Sequence, residues 1–230
     1  MATLGIVEVP TAERLTLGRM QNPVRGFLHG IAALLALLGT VLLLLRAPSW
    51  PSRFALTVFG IGLVGLYTTS SLYHSIPWRQ VWKKRMQRAD HSMIFVLIAA
   101  TYTPISAIAL DGVLSVVSLV GAWGIAIVGI AQQVLFPREA NTFGIALMTT
   151  LGWLALFIMW PFAAKAGIAA VVWFAIGGII YTAGMIMLVT ERPSLWPRVF
   201  SYHEAFHVMV VTASLVHFTA TMRYVVPLAA

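Results

Sequence analysis

The chain has 230 residues, of which 60% are hydrophobic and only 10% are charged. In soluble globular proteins about a quarter of the residues are charged. This composition therefore excludes an ordinary soluble domain and favours an integral membrane protein. The absence of cysteine excludes disulfide bonds and thiolate metal sites. A net charge of +8 would suggest nucleic acid in a soluble protein, but basic loops beside membrane spans account for it, and no nucleic-acid partner is expected.

A polar segment precedes the first apolar run. Residues 1–23 include Pro10, Gly18 and Pro23 and lack the short apolar core and small-residue cleavage site of a secretory signal. We therefore interpret residues 1–23 as a cytoplasmic N-terminal segment and residues 24–227 as one transmembrane domain.

Seven apolar segments follow, each close to the roughly 20 residues that cross a bilayer as a helix. Their apolar runs are continuous rather than alternating, which indicates helices and not barrel strands. The sequence therefore predicts an all-α integral membrane protein, a bundle of seven transmembrane helices. The predicted spans are residues 24–45, 53–74, 90–110, 113–134, 141–163, 168–189 and 202–226. The basic stretch Trp78–Arg88 is interpreted as a solvated loop in contact with lipid headgroups.

The distribution of arginine and lysine predicts the orientation of the bundle. Seven spans place the termini on opposite sides of the membrane and assign each connecting segment to one side. With this assignment, one side holds eleven basic residues and the other holds four. The eleven are Arg14, Arg19, Arg25, Arg79, Lys83, Lys84, Arg85, Arg88, Arg138, Arg192 and Arg198, and the four are Arg46, Arg53, Lys165 and Arg223. The positive-inside rule then places the N-terminus in the cytoplasm and the C-terminus outside.

Ionisable side chains within the spans need an explanation, because each is costly to insert into lipid. They are His29, His74, Asp90, His91, His203, Glu204, His207 and His217. In the orientation set by arginine and lysine alone, His29, His74, Asp90, His203 and His207 all fall near the cytoplasmic ends of their spans. The topology thus gathers them at one depth.

The spacing of these histidines indicates a metal site. His203 and His207 are four residues apart and share one helical face, where both can bind the same ion. His74 from the second span would complete three nitrogen ligands, a set that zinc accepts with its fourth position open to water. Ser70 shares the face of His74, and Asp90 could hold that water or orient a histidine.

A simpler interpretation stays open for the HxxxH pair, since membrane histidines often serve only as interhelical hydrogen-bond donors. His29, His91 and His217 are interpreted mainly as packing residues or as neighbours of the ligands. His217 lies about 15 Å beyond His207 along the helix, too far for the same ion. Glu204 lies about 100° around the helix from His203 and is expected to face away from the pair.

Four short motifs occur together in the chain: Ser70-Ser-Leu-Tyr-His74, Arg88-Ala-Asp90-His91-Ser92, Thr101-Tyr-Thr-Pro104 and His203-Glu-Ala-Phe-His207. Together they resemble the hemolysin III family, the bacterial branch of the progestin and adipoQ receptor superfamily, which includes the adiponectin receptors. The resemblance runs from about Asn22 to His217. At Ala100, many relatives have glycine, which is expected to affect packing and to leave the site intact.

The resemblance implies a seven-helix protein of the bacterial inner membrane with a zinc ion near the inner leaflet. His74, His203 and His207 would bind the zinc, Asp90 would hold a zinc-bound water, and Ser70 would lie beside the site. Related eukaryotic receptors and alkaline ceramidases are associated with ceramide hydrolysis.

Two hypotheses on function follow. The first is a zinc-dependent hydrolase of a lipid amide or ester linked to membrane lipid homeostasis, with membrane lipids as partners and an unidentified acyl lipid as substrate. In it, Asp90 moves a proton and Ser70 stabilises the oxyanion or positions water. The second is a non-catalytic sensor or regulator of membrane state, in which zinc joins the second and seventh spans. The family name also implies a pore-forming hemolysin, which is disfavoured because no span shows a repeated polar stripe.

Overall fold

A computed structural model describes residues 16–136, 142–196 and 199–230. Within these ranges the chain contains no β-strand, and seven helices are long and apolar enough to cross a membrane, which confirms the predicted fold class. Residues 1–15 of the predicted N-terminal segment lie outside the described ranges. So do Arg138, Arg198 and the predicted start of the fifth span at Asn141.

In the part of the chain that the structure describes, eight α-helices make up the seven spans. They are α1 (Pro23–Arg46), α2 (Trp50–Ser75), α3 (Gln80–Pro104), α4 (Gly112–Leu135), α5 (Thr142–Trp153), α6 (Leu156–Ala166), α7 (Ile168–Thr190) and α8 (Tyr202–Ala220). A π-helical turn continues α3 (Ile105–Ala109), and another continues α8 (Thr221–Val225), followed by a 3-10 turn at Val226–Ala229.

The fifth span is two helices rather than one. Between α5 and α6, the amides of Phe157 and Ile158 donate to the carbonyls of Leu154 and Ala155, three residues back instead of four. Gly152 and Pro161 flank this break. Glycine weakens a helix through its backbone freedom, and proline removes one of the ladder hydrogen bonds, so together they explain the interruption.

The basic stretch before the third span is helical, and its interpretation as a loop is wrong. Helix α3 begins at Gln80, ten residues before Asp90. From Gln80 to Arg88 the sequence contains neither glycine nor proline and is rich in lysine, arginine and glutamine, all good helix formers. Because these polar residues are too hydrophilic for a membrane span, hydropathy alone placed the start of the helix too late.

Two hydrophobic clusters hold the bundle together. One joins α3, α4, α5, α6 and α7, with Phe95 and Phe162 fully buried within it. The other joins α1, α2, α3 and α8 around Leu43, Leu56 and Phe59. Many leucine, isoleucine, valine and phenylalanine side chains face outward along the spans, as expected where the surrounding medium is lipid.

Helices α2 and α3 approach each other closely at Gly62. A Cβ atom built on Gly62 would lie 2.7 Å from the Cβ of Ala100 and 3.5 Å from the Cα of Leu97. Small residues allow such close packing between membrane helices. Ala100, the position at which many relatives were expected to have glycine, is therefore accommodated by the glycine that faces it.

Gly62→Ala is expected to destabilise the bundle by about 1–3 kcal/mol, because the added methyl group forces α2 and α3 apart. Thermal unfolding in nanodiscs measures the effect. Gly124→Ala on α4 is the matched control, since a Cβ there meets nothing within 4 Å. The control should leave stability unchanged or raise it by up to about 1 kcal/mol. Equal melting temperatures for the two variants would contradict the close contact.

Candidate metal centre

The end of α2 positions His74. The helix ends at Ser75, just before Ile76 and Pro77, because the residue before a proline is disfavoured in helical geometry. The backbone carbonyl of His74 accepts a hydrogen bond from the backbone amide of Asn22 at 3.2 Å, which ties the start of α1 to the end of α2. His74 is buried.

The start of α8 positions His203 and His207. Ser201 caps the helix, and the carboxylate of Glu204 accepts hydrogen bonds from the Ser201 amide at 2.8 Å and from the Ser201 hydroxyl at 2.6 Å. This reciprocal capping box satisfies amides at the helix N-terminus and fixes where α8 begins. His203 and His207 therefore lie in the first two turns on one face.

The three histidines predicted as ligands come together. One ring nitrogen from each of His74, His203 and His207 lies within 4.8 Å of the others. The ring centroids of His74 lie 5.4 Å from His203 and 4.9 Å from His207. His74 and His207 are buried and His203 is half-buried. Three convergent imidazoles from two helices could hold a metal ion.

Asp90 and Ser70 lie beside this group. The Oδ2 atom of Asp90 is 4.0 Å from Nε2 of His74, which is ion-pair range but longer than a direct hydrogen bond. Ser70 lies one helical turn before His74 on α2, and its hydroxyl is within reach of the Asp90 carboxyl. Both side chains are buried. The structure thus brings all five predicted site residues to one place, with Asp90 on the side of His74.

His29 enters the site from α1. Its Nε2 atom is 3.0 Å from Nδ1 of His207, and its ring meets that of Tyr67 edge-on at 5.0 Å. The interpretation of His29 as a neighbour of the ligands agrees with this contact. His217 lies apart from the group and contacts the Phe174 carbonyl at 3.0 Å, while His91 is half-buried and outside the group.

A buried ion pair next to the site was missed from the sequence. Nε of Arg25 on α1 donates to Oε1 of Glu204 at 2.5 Å, and both side chains are almost fully buried. Glu204 is not among the convergent ligands, as expected. The sequence identifies Arg25 only as one of the basic residues on the cytoplasmic side. The available signal was its spacing, since Arg25 and His29 are four residues apart and share a face of α1.

An apolar groove of about 420 Å³ opens toward the surrounding medium between α1 and α2. Phe27, Ile31 and Leu34 line one wall, and Ser71 and Ser75 lie on the other. None of the three convergent histidines lines it. Ser71 and Ser75 directly follow Ser70 and His74 in the chain, so the groove runs along the neighbouring face of α2.

Comparison with known proteins places the chain among relatives of similar length. A model of the family described as haemolysin-III related matches residues 18–218. The chain is 31% identical over 201 residues to "Hemolysin-3 homolog" of Bacillus subtilis (strain 168), covering 86% of this chain and 91% of that protein. It is 31% identical over 204 residues to "Hemolysin-3" of Bacillus cereus, covering 87% and 90%.

A more distant similarity extends to animals. The human "Monocyte to macrophage differentiation factor" is 22% identical over 202 residues, which cover 86% of this chain and 82% of that protein. The match to the family covers the first six spans, most of α8 and every candidate site residue. The resemblance inferred from the motifs is confirmed, and the chain belongs to the haemolysin-III related family of integral membrane proteins.

Proposed function

We propose that this protein is a zinc-dependent hydrolase that cleaves an amide or ester bond of an acyl lipid. The observation that carries the proposal is the convergence of His74, His203 and His207 beside a buried carboxylate, Asp90. Three imidazoles with a nearby carboxylate resemble the donor set of hydrolytic zinc sites, in which three protein ligands leave a position open.

The chemistry of the donor set favours a transition metal such as zinc over calcium or magnesium. All three ligands are neutral imidazole nitrogens, which suit zinc, whereas calcium and magnesium prefer oxygen ligands. The chain has no thiol to complete a closed structural site. The half-buried side chain of His203 leaves one side of the group approachable.

Zinc bound there would supply Lewis-acid polarisation of the substrate carbonyl and would acidify water. The protein contributes the remaining functions. Asp90 accepts a proton at a carboxylate oxygen and returns it to the leaving group. The Ser70 hydroxyl faces Asp90, holds its orientation and offers a donor to the developing oxyanion.

An acyl lipid fits the surroundings of the site. The histidines lie in helices that carry outward-facing apolar side chains, and the groove between α1 and α2 offers an apolar wall beside the same end of α2. A lipid acyl chain can lie in that groove while its polar linkage reaches the end of the bundle. The proposal therefore makes membrane lipids both the surroundings and the source of substrate.

The purified protein is expected to bind one zinc ion per chain, measured by competition with a chromophoric chelator and by metal analysis. His207→Ala should abolish tight binding, because it removes a ligand from the centre of the group. His217→Ala is the matched control, as it removes a half-buried histidine of the same helix that contacts only the Phe174 carbonyl among the hydrogen bonds described. Unchanged zinc content in His207→Ala would exclude the site.

Asp90→Asn is expected to retain zinc and to lose about 10²–10⁴-fold in turnover, the usual contribution of a positioned general acid–base group. The assay follows release of fatty acid from lipid amides and esters in nanodiscs. Asp111→Asn is the matched control, because Asp111 is an exposed carboxylate paired with Lys165 outside the site. His207→Ala lacks a proposed zinc ligand. If this variant cleaves lipid as fast as the wild type, the hydrolase proposal is wrong.

A structural role for zinc is favoured by one specific observation: His74 lies on α2 and the other two histidines lie on α8, so one ion would join two helices. In this second candidate function the protein is a non-catalytic sensor of membrane state. Zinc removal would then lower the melting temperature while no lipid is cleaved under any condition.

The site is proposed to face the cytoplasm. The basic residues of the first turns of α3 share the end of the bundle that His74 and Asp90 occupy, and the positive-inside rule assigns that end to the cytoplasm. Alkaline phosphatase fused after Ala230 is expected to be active, because it folds only outside the cytoplasm, where its disulfides form. The same reporter inserted after Arg79 should be inactive, and the reverse pattern would contradict the assignment.

A further inference from the structure

We propose that α1 is the positioning element of the metal site, because His29 holds His207 in the one tautomer that can bind a metal. The inference deepens the proposed function and rests on its metal site. His29 is not a ligand here. It acts through His207, and Arg25 four residues earlier supports it.

The contact between His29 and His207 is specific. Nε2 of His29 lies 3.0 Å from Nδ1 of His207, which is ordinary hydrogen-bond length. The two ring centroids are 4.1 Å apart with planes tilted by 44°. Both side chains are buried, so water does not compete for this hydrogen bond.

The direction of this hydrogen bond decides whether His207 can be a ligand. A neutral imidazole carries one N–H and one lone pair in the ring plane. If Nδ1 of His207 donates to His29, then Nε2 of His207 keeps its lone pair for the metal. If His29 donates instead, Nε2 of His207 carries the proton and cannot bind. A metal-binding His207 therefore requires His29 as the acceptor, an arrangement common around protein metal sites.

Packing alone does not explain a histidine at position 29. Its ring meets Tyr67 edge-on, a contact that phenylalanine would make equally well. The Nδ1 atom of His29 has no hydrogen-bond partner among the described residues. The contact with His207 is thus the hydrogen bond described for this ring. It explains why a polar side chain lies at a buried position in a membrane helix.

A second contact from the same face of α1 sets the register of α8. Arg25 precedes His29 by one helical turn and pairs with Glu204, which in turn caps α8 through Ser201. Glu204 precedes His207 by three residues. Two neighbouring side chains of α1 therefore hold two neighbouring turns of α8, and the rotation of α8 that would carry His207 away from His29 is opposed by the ion pair.

The test compares two small polar replacements that differ in where they place an acceptor. In His29→Gln the amide oxygen reaches about the position of Nε2, whereas in His29→Asn it reaches only about that of Nδ1. Zinc affinity of the full chain in nanodiscs is measured by competition with a chromophoric chelator. His29→Asn is expected to weaken binding about 10–100-fold, the usual effect of losing such a partner, while His29→Gln stays near the wild type.

His217→Asn is the matched control, because His217 is a half-buried histidine of α8 that contacts the Phe174 carbonyl away from the metal group. Thermal unfolding without metal measures how much each of the two variants destabilises the protein. The visible absorption of bound Co²⁺ supplies a second readout. It should change in His29→Asn and stay the same in His217→Asn.

Equal zinc affinities for His29→Gln and His29→Asn would overturn the inference, and so would loss of affinity in His217→Asn as large as in His29→Asn. A wild-type chain that binds no zinc would overturn both the inference and the proposed function. A wild-type chain that binds zinc tightly but cleaves no lipid would leave the positioning role of His29 standing and would remove only the hydrolase activity.

Discussion

Polar side chains buried in lipid must satisfy one another, and the architecture of this end of the bundle depends on that constraint. A soluble protein can leave an imidazole or a guanidinium to water, whereas a membrane interior offers no such partner. Here α1, α2, α3 and α8 each contribute at least one ionisable group to the same region. Arg25 forms an ion pair with Glu204, His29 contacts His207 at hydrogen-bond distance, and Asp90 lies beside His74. These contacts add to the apolar packing that holds the helices in register.

The number and type of the membrane spans could be predicted from the sequence for a physical reason. Seven apolar runs of span length leave helices as the structures able to satisfy their own backbone, and the charges between them mark the ends. The metal group was also accessible, because His203 and His207 are spaced by one helical turn and His74 ends a span at the same depth. Depth and helical face place these rings on one level, and the packing of α2 and α8 within the bundle brings them together.

Other features were not accessible from hydropathy, because each depends on information that hydropathy lacks. The start of α3 was missed because a helix that leaves the apolar layer continues without any change in backbone preference. The break between α5 and α6 was missed because a helix interrupted within an apolar segment has the same hydropathy as a continuous one. The pairing of Arg25 with Glu204 was missed because a charge near a span end is ordinarily solvated, and only packing against α8 shows that it is buried.

The unbroken course of α3 has a mechanical consequence. From Gln80 to Asp90 the helix rises about 15 Å without a glycine or a proline to act as a hinge, so its basic end and its buried carboxylate move as one rod. A tilt imposed on the lysine- and arginine-rich end of α3 would therefore change the separation between Asp90 and His74 in the interior. A change in the thickness or surface charge of the bilayer that tilts this end would displace the carboxylate.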